Sequence, residues 1–223
     1  EFLAAVPTAR PRAFLIENAV PGRTPGAEDI QLLRQTIRDA LALPQDSYVI
    51  GSVARLHWQK GVDRLIQAFH SLSRHRNNLY LLIIGDGPER TNLERMAERL
   101  GIAPHCIFTG NRPNARYLYA MMDLFVLPSR WEGLPLTILE AWNAGTPVIA
   151  TDVSGSRDLI QHGVNGFLAD DSVEGIASAI LRALQSGPDL TAMVQNARRT
   201  LSRRFSLSRM TAQTEAVYQQ VFE

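Results

Sequence analysis

Two cations stand five positions apart in the stretch Arg55-Leu56-His57-Trp58-Gln59-Lys60-Gly61, directly after the apolar run YVIGSVA. Arginine offers a planar fork of donors and lysine a mobile point charge, so such a pair can clamp a diphosphate. A solvated surface loop is the alternative reading of the same residues. Further along, residues 129–140 read SRWEGLPLTILE, with Glu132 and Glu140 eight positions apart around Gly133 and a helix start. Free N–H groups and the dipole at a helix start attract an anion. Carboxylates repel that anion, so Glu132 and Glu140 should face neutral hydroxyls such as those of a sugar or a ribose. Two solvated surface glutamates are the alternative, although Glu140 lies in an otherwise apolar helix.

Other motifs carry less. Gly85-Asp86-Gly87-Pro88 begins like a dinucleotide fingerprint, but Arg90 stands where the third glycine belongs. It also follows the second strand rather than the first, so a tight turn into a helix is the favoured reading. His57, His70, His75, His105 and His162 lack metal-ligand spacing, and Cys106 is the single cysteine, which excludes an internal disulfide. His57 is set apart only by lying in the cationic loop. Trp131, beside Glu132, reads equally as a stacking residue for substrate or as packing. No Asp-x-Asp triplet occurs in a loop suited to a metal, so no metal or other cofactor is expected.

These residues need elements to position them. Apolar recurrence at three and four positions (Ile30, Leu33, Ile37, Leu41) marks a helix from Glu28, stopped by Pro44. Strand and helix patterns then alternate. Strands are expected over 48–54, 79–84, 106–109, 123–127, 147–151 and 166–169, and several are continuous apolar runs suited to a sheet buried on both faces. Helices are expected over 62–73, 89–100, 115–122, 136–144, 173–185, 190–203 and 208–222, with a brief turn over 155–161. The pattern predicts an α/β fold: a Rossmann-like, doubly wound parallel sheet of about six strands with flanking helices. Ligands of such sheets bind beyond the carboxyl ends of the strands, where the cationic loop and the Glu132 stretch fall.

Composition excludes several classes. The 223 residues are 45% hydrophobic and 20% charged, which rules out a disordered or collagen-like chain. The formal charge of +1 argues against a nucleic-acid partner. No apolar run is long enough for a membrane span and no signal peptide is visible, so a cytoplasmic location is expected. The chain begins Glu1-Phe2 without an initiator Met, from which a piece of a longer protein is expected.

Taken together, Arg55…Lys60-Gly61, LLIIGDGP at 81–88, FTG at 108–110, DLFVLPS at 123–129, Glu132 with Glu140-Ala141, AGTPVIA at 144–150 and GVNGFL at 163–168 resemble the C-terminal half of a family 4 (group 1) retaining glycosyltransferase of the GT-B fold. The resemblance covers about residues 15–223. It implies that residues 1–27 are a linker ending the interdomain junction, and that residues 28–223 are the donor nucleotide-sugar-binding domain, the N-terminal acceptor domain being absent. It implies that Arg55 and Lys60 neutralise the donor diphosphate and that Glu132 contacts the transferred sugar. The backbone of Gly133, Leu134, Pro135 and Leu136 would approach sugar and phosphate, Glu140 the ribose, and Gly110, Asn111 and Arg112 the base. The donor would be a UDP- or GDP-linked sugar, transferred with retention and without metal. Two departures are visible: Val153-Ser154-Gly155-Ser156-Arg157 has one glycine where the family often has two, and Asn143 replaces a small or apolar residue.

Other readings stay open on the residues alone: a nucleotide-sugar epimerase of similar fold, or a catalytically silent nucleotide-binding module. The basic set Arg198, Arg199, Arg203, Arg204 and Arg209 reads first as a solvated helix face. Its alternative is a peripheral contact with anionic lipid on the inner face of a membrane.

Overall fold

The computed structural model describes residues 14–20, 27–44, 46–74, 76–113 and 115–222. Among these, six strands form one sheet: β1 (Tyr48–Val53), β2 (Leu79–Ile84), β3 (Cys106–Phe108), β4 (Leu124–Leu127), β5 (Val148–Thr151) and β6 (Phe167–Ala169). The spatial order is β3-β2-β1-β4-β5-β6, with every neighbouring pair parallel. The helices are α1 (Ala27–Ala40), α2 (Val62–Ser73), α3 (Arg90–Arg99), α4 (Leu136–Ala144), α5 (Ser154–Arg157), α6 (Val173–Gln185), α7 (Pro188–Arg204) and α8 (Leu207–Phe222). This is the doubly wound architecture expected from the alternating pattern.

Side chains alternate across each strand, and the two faces feed two cores. On one face Ile50, Leu81, Ile83 and Val126 pack with Leu65, Ile66 and Phe69 of α2, Leu93 of α3 and Ile176 and Ile180 of α6. On the other, Val49, Leu82, Phe125 and Val148 pack with Ile138, Leu139 and Trp142 of α4 and Ala197 and Leu201 of α7. The apolar side chains of α2, α4 and α6 are therefore the ones buried against the sheet.

Local differences from the expected elements have local causes. Residues 115–121 form a 3-10 helix rather than an α-helix. A further 3-10 turn, Trp58–Lys60, interrupts the cationic loop. The His57 Nδ1 accepts a hydrogen bond from the Gln59 N–H at 3.3 Å, and Gly61 closes the turn in the left-handed region at φ 64°. Residues 1–13 and 21–26 of the expected linker lie outside the described residues, as does His75. Residues 14–20 carry neither helix nor strand, but Val20 is buried in the second core. Glu17 holds the Arg204 guanidinium through contacts of 2.5 to 3.1 Å. Part of the basic patch is thus neutralised within the molecule. Among the described residues no helix is long and apolar enough to cross a membrane.

Candidate functional site

The strand order reverses between β1 and β4, so α2 and α4 depart to opposite faces and leave a crevice between the loops that follow those two strands. Both candidate motifs occupy this crevice. The loops can lie against each other because Gly61 lacks a side chain. A Cβ there would come within 1.9 Å of the Pro128 carbonyl oxygen. The buried Arg64, one turn into α2, donates to the same Pro128 carbonyl at 2.6 Å and also binds Asp171. The Arg130 N–H donates to the Gln59 carbonyl at 2.8 Å, joining the loops directly.

Lys60 and Glu132 meet there although 72 positions separate them: Lys60 Nζ lies 2.7 Å from Glu132 Oε1. The Ser129 hydroxyl donates to the same oxygen at 2.6 Å. The Glu132 side chain is only 7% exposed, and Oε2 has no hydrogen-bond partner among the described residues. An ammonium has three donors, so Lys60 keeps two beyond the one given to Glu132. Arg55 is exposed at the end of β1 and has no ion-pair partner among the described residues. The site therefore pairs a partly engaged cation with a free one, beside a carboxylate whose second oxygen is open.

Glu140 lies half-buried on α4, where Glu140 Oε2 accepts a 2.7 Å hydrogen bond from the Tyr119 hydroxyl. Burial, reinforced by the Glu140 charge, pushes the Tyr119 hydroxyl well above its usual pKa and keeps it a donor. At the start of α4, Pro135 is the extended N-cap residue and no side chain caps the helix. Its first N–H groups are thus available to an anion, whereas α6 is closed by the Ser172 hydroxyl on the Gly175 N–H at 2.9 Å.

Gly133 is exposed and a Cβ there would meet nothing within 4 Å; Leu134 is half-buried, Pro135 buried and Leu136 40% exposed. A tight packing contact is made at Gly155 of α5, where a Cβ would stand 2.0 Å from the Gly133 carbonyl oxygen. The single glycine of that loop is the one the packing requires. Gly110, buried with φ 69°, bridges to Gly85 at the tip of β2, and Asn111 and Arg112 are exposed beyond it. Beside Gly110, Arg90 pairs with Asp86 at 3.0 Å and with Glu94 at 2.8 Å. The Gly85–Pro88 segment is the tight turn expected, with the Asp86 carboxylate accepting from the Gly87 N–H at 2.7 Å.

Sequence reasoning missed Ser129 and Tyr119 as partners of the two glutamates. It also missed Arg130, which forms a two-point pair with Asp63 at 2.9 and 2.7 Å and stacks 4.6 Å from the Trp58 ring centre. Ser129 and Glu132 share one loop, three positions apart, whereas the Tyr119 and Arg130 pairings join separate segments and carry no local signal. Among the described residues no cluster of three His, Cys, Asp or Glu could hold a metal ion. Cys106 is a packed thiol whose pKa burial raises to about 12.

Residues 34–200 match the family described as glycosyl transferases group 1. The chain is 34% identical over 175 residues to the lipopolysaccharide core biosynthesis glycosyltransferase LpsE of Rhizobium meliloti, an alignment covering 78% of this chain and 50% of that protein. It spans about half the length of the curated relatives it matches. Its fold superposes on Anabaena Alr3699/HepE in complex with UDP and glucose, with a TM-score of 0.84 and 25% identity, over 93% of this chain and 57% of that one. The C-terminal domain of a group 1 family glycosyl transferase, LpcC of Francisella tularensis, shares the fold with a TM-score of 0.73 and 23% identity; 84% of this chain aligns with 99% of that domain.

Proposed function

The chain belongs to the group 1 glycosyl transferases, and on that premise we propose that it is the donor-binding domain of an enzyme moving a sugar from a nucleoside-diphosphate sugar to a glycan or lipid-linked acceptor. The observation that carries the reading is the contact of Lys60 with Glu132 at the switch point, with Arg55, unpaired among the described residues, at the end of the neighbouring β1. Arg55, the remaining Lys60 donors and the uncapped start of α4 balance the charge that grows on the departing diphosphate. Glu132 Oε2 accepts from hydroxyls of the transferred sugar, and Glu140 from the ribose. Gly110, Asn111 and Arg112 border the base. A uridine nucleotide is favoured because the Anabaena neighbour was solved with UDP; a guanosine nucleotide is the alternative.

Transfer proceeds with retention by attack on the face the phosphate leaves, the leaving phosphate assisting, and Glu132 forms no covalent adduct. With cations already on the diphosphate no metal is needed, and activity should survive a chelator. The acceptor is held mainly by an N-terminal domain, consistent with the share of its relatives that the chain spans. The exposed Arg199, Arg203 and Arg209 offer peripheral contact with anionic lipid at the cytoplasmic membrane face. Cosedimentation with anionic but not neutral vesicles tests that contact.

Titrating this chain with UDP, GDP and ADP by calorimetry tests the donor site. Binding of one diphosphate that weakens in Arg55→Ala and Lys60→Ala supports the clamp; unchanged affinity in both variants refutes it. In the full-length protein, glycosylated acceptor supports transfer, an epimerised sugar supports an epimerase, and binding without turnover supports a silent module.

A further inference from the structure

Two indoles stand at the mouth of the crevice, one from each loop. Trp58 is 54% exposed and Trp131 49% exposed, and their rings meet edge to face with centres 5.3 Å apart. Large exposed aromatics leave apolar surface in water, so holding two of them together at a surface calls for an explanation. They are held firmly. Arg130 covers one face of Trp58 at 4.6 Å, donates to the Trp58 carbonyl at 2.5 Å and is locked by both oxygens of Asp63. The Gln59 side-chain amide donates to the Trp131 carbonyl at 3.1 Å. Trp131 precedes Glu132 in the chain, yet the two side chains diverge: Glu132 turns inward to Lys60 and Ser129, Trp131 outward to Trp58 and solvent.

We infer that Trp58 and Trp131 form a carbohydrate platform on which a pyranose ring of the incoming acceptor stacks. The inference rests on the transferase reading above, because it takes the inner side of the Lys60–Glu132 contact for the donor. The occupant follows from the chemistry. One face of a pyranose presents C–H groups with slight positive charge, which match the negative face of an indole. Its hydroxyls need donors and acceptors at the edge, and the exposed His57 and the half-buried Gln59 and Arg130 border the rings. A preorganised aromatic surface loses little side-chain freedom on binding, which favours a weakly held, exchanging ligand. The outer wall of the crevice is also where a second substrate can approach without displacing the donor.

The chain contains three tryptophans, and Trp142 is 1% exposed in the core, so it serves as an internal control. The experiment records indole N–H resonances of the 223-residue chain during titration with the methyl glycosides of glucose, mannose and N-acetylglucosamine, with and without saturating UDP or GDP, whichever diphosphate the chain binds. Saturable shifts of Trp58 and Trp131, with Trp142 still and the shifts retained in the presence of the nucleotide, support the platform. Trp58→Ala should weaken the titration seen at Trp131 at least about fivefold, and Trp58→Phe should restore most of it. Absence of any sugar-induced shift, as expected of a surface that only contacts another domain, overturns the inference. So does a shift abolished by the nucleotide. Failure of the donor reading shows separately, as absence of nucleotide-induced shifts at Lys60 and Gly133 in the same spectra.

Discussion

The sheet carries an ion-pair cluster at each end, and the two are built to opposite rules. At the amino ends of the strands, Asp123 receives Arg34 and, at 2.6 Å, Arg38, and also accepts the Val49 N–H at 2.7 Å. Arg38 is 7% exposed and donates to the Met121 and Ser47 carbonyls as well. Each nitrogen of the Arg38 guanidinium and each carboxylate oxygen of Asp123 has a partner, and the cluster fastens α1 to the edge of the core. At the carboxyl ends, Lys60 and Glu132 satisfy each other only in part, and Arg55 pairs with nothing among the described residues. A cluster whose acceptor oxygens are all engaged holds structure; one with an open acceptor oxygen beside spare donors can take a ligand.

The comparison breaks if the two clusters respond alike to substitution. Under the proposed function, Glu132→Ala in the full-length protein should lower kcat at least about 100-fold, the scale of losing one transition-state contact. Its melting temperature should stay near that of the parent, and a trapped sugar adduct on Glu132 would overturn its assigned role. Asp123→Ala should do the reverse. Removing it strands Arg34, Arg38 and the Val49 N–H and should cost about 3 kcal/mol in urea unfolding, while nucleotide affinity in the folded fraction is unchanged. Arg55→Ala or Lys60→Ala should weaken nucleoside-diphosphate binding by at least about 1.4 kcal/mol, a tenfold change in calorimetry.

The smallest effect is a pH dependence. Burial alone would raise the Asp63 pKa, but the Arg130 hydrogen bonds and charge outweigh it and hold the carboxyl below its ordinary 3.8. The folded state therefore binds fewer protons than the unfolded one. The contribution is complete above that ordinary value and is lost as the pH falls through the folded one. Asp63→Asn should flatten that acid-side slope in unfolding measured between about pH 5 and 2.

Much of the fold was legible because burial writes itself locally. LYLLII over Leu79–Ile84 is apolar throughout because both faces of β2 are covered, and the α2 stripe of Leu65, Ile66 and Phe69 is the face turned to the sheet. The candidate residues could be nominated from the sequence, since Arg55, Lys60 and Glu132 sit at strand-to-helix transitions that periodicity locates and Glu140 on the helix that follows. Their partners could not be. Ser129 and Tyr119 are ordinary residues in their own segments, and Trp131 by itself supported packing and stacking equally. That Gly155 lies against the Gly133 carbonyl from another loop was likewise not signalled by either segment.

By itself, then, the amino-acid sequence determined which segments form strands and helices, and which chemistry-bearing residues lie in the loops between them. Those properties depend on neighbours within a few positions, through side-chain period, turn residues and helix breakers. Tertiary structure alone decided that β1 lies beside β4, that Lys60 reaches Glu132, and that Arg130 sets Trp58 against Trp131. Those contacts join residues about 70 positions apart, and they form because a right-handed, doubly wound sheet brings two distant loops to one crevice.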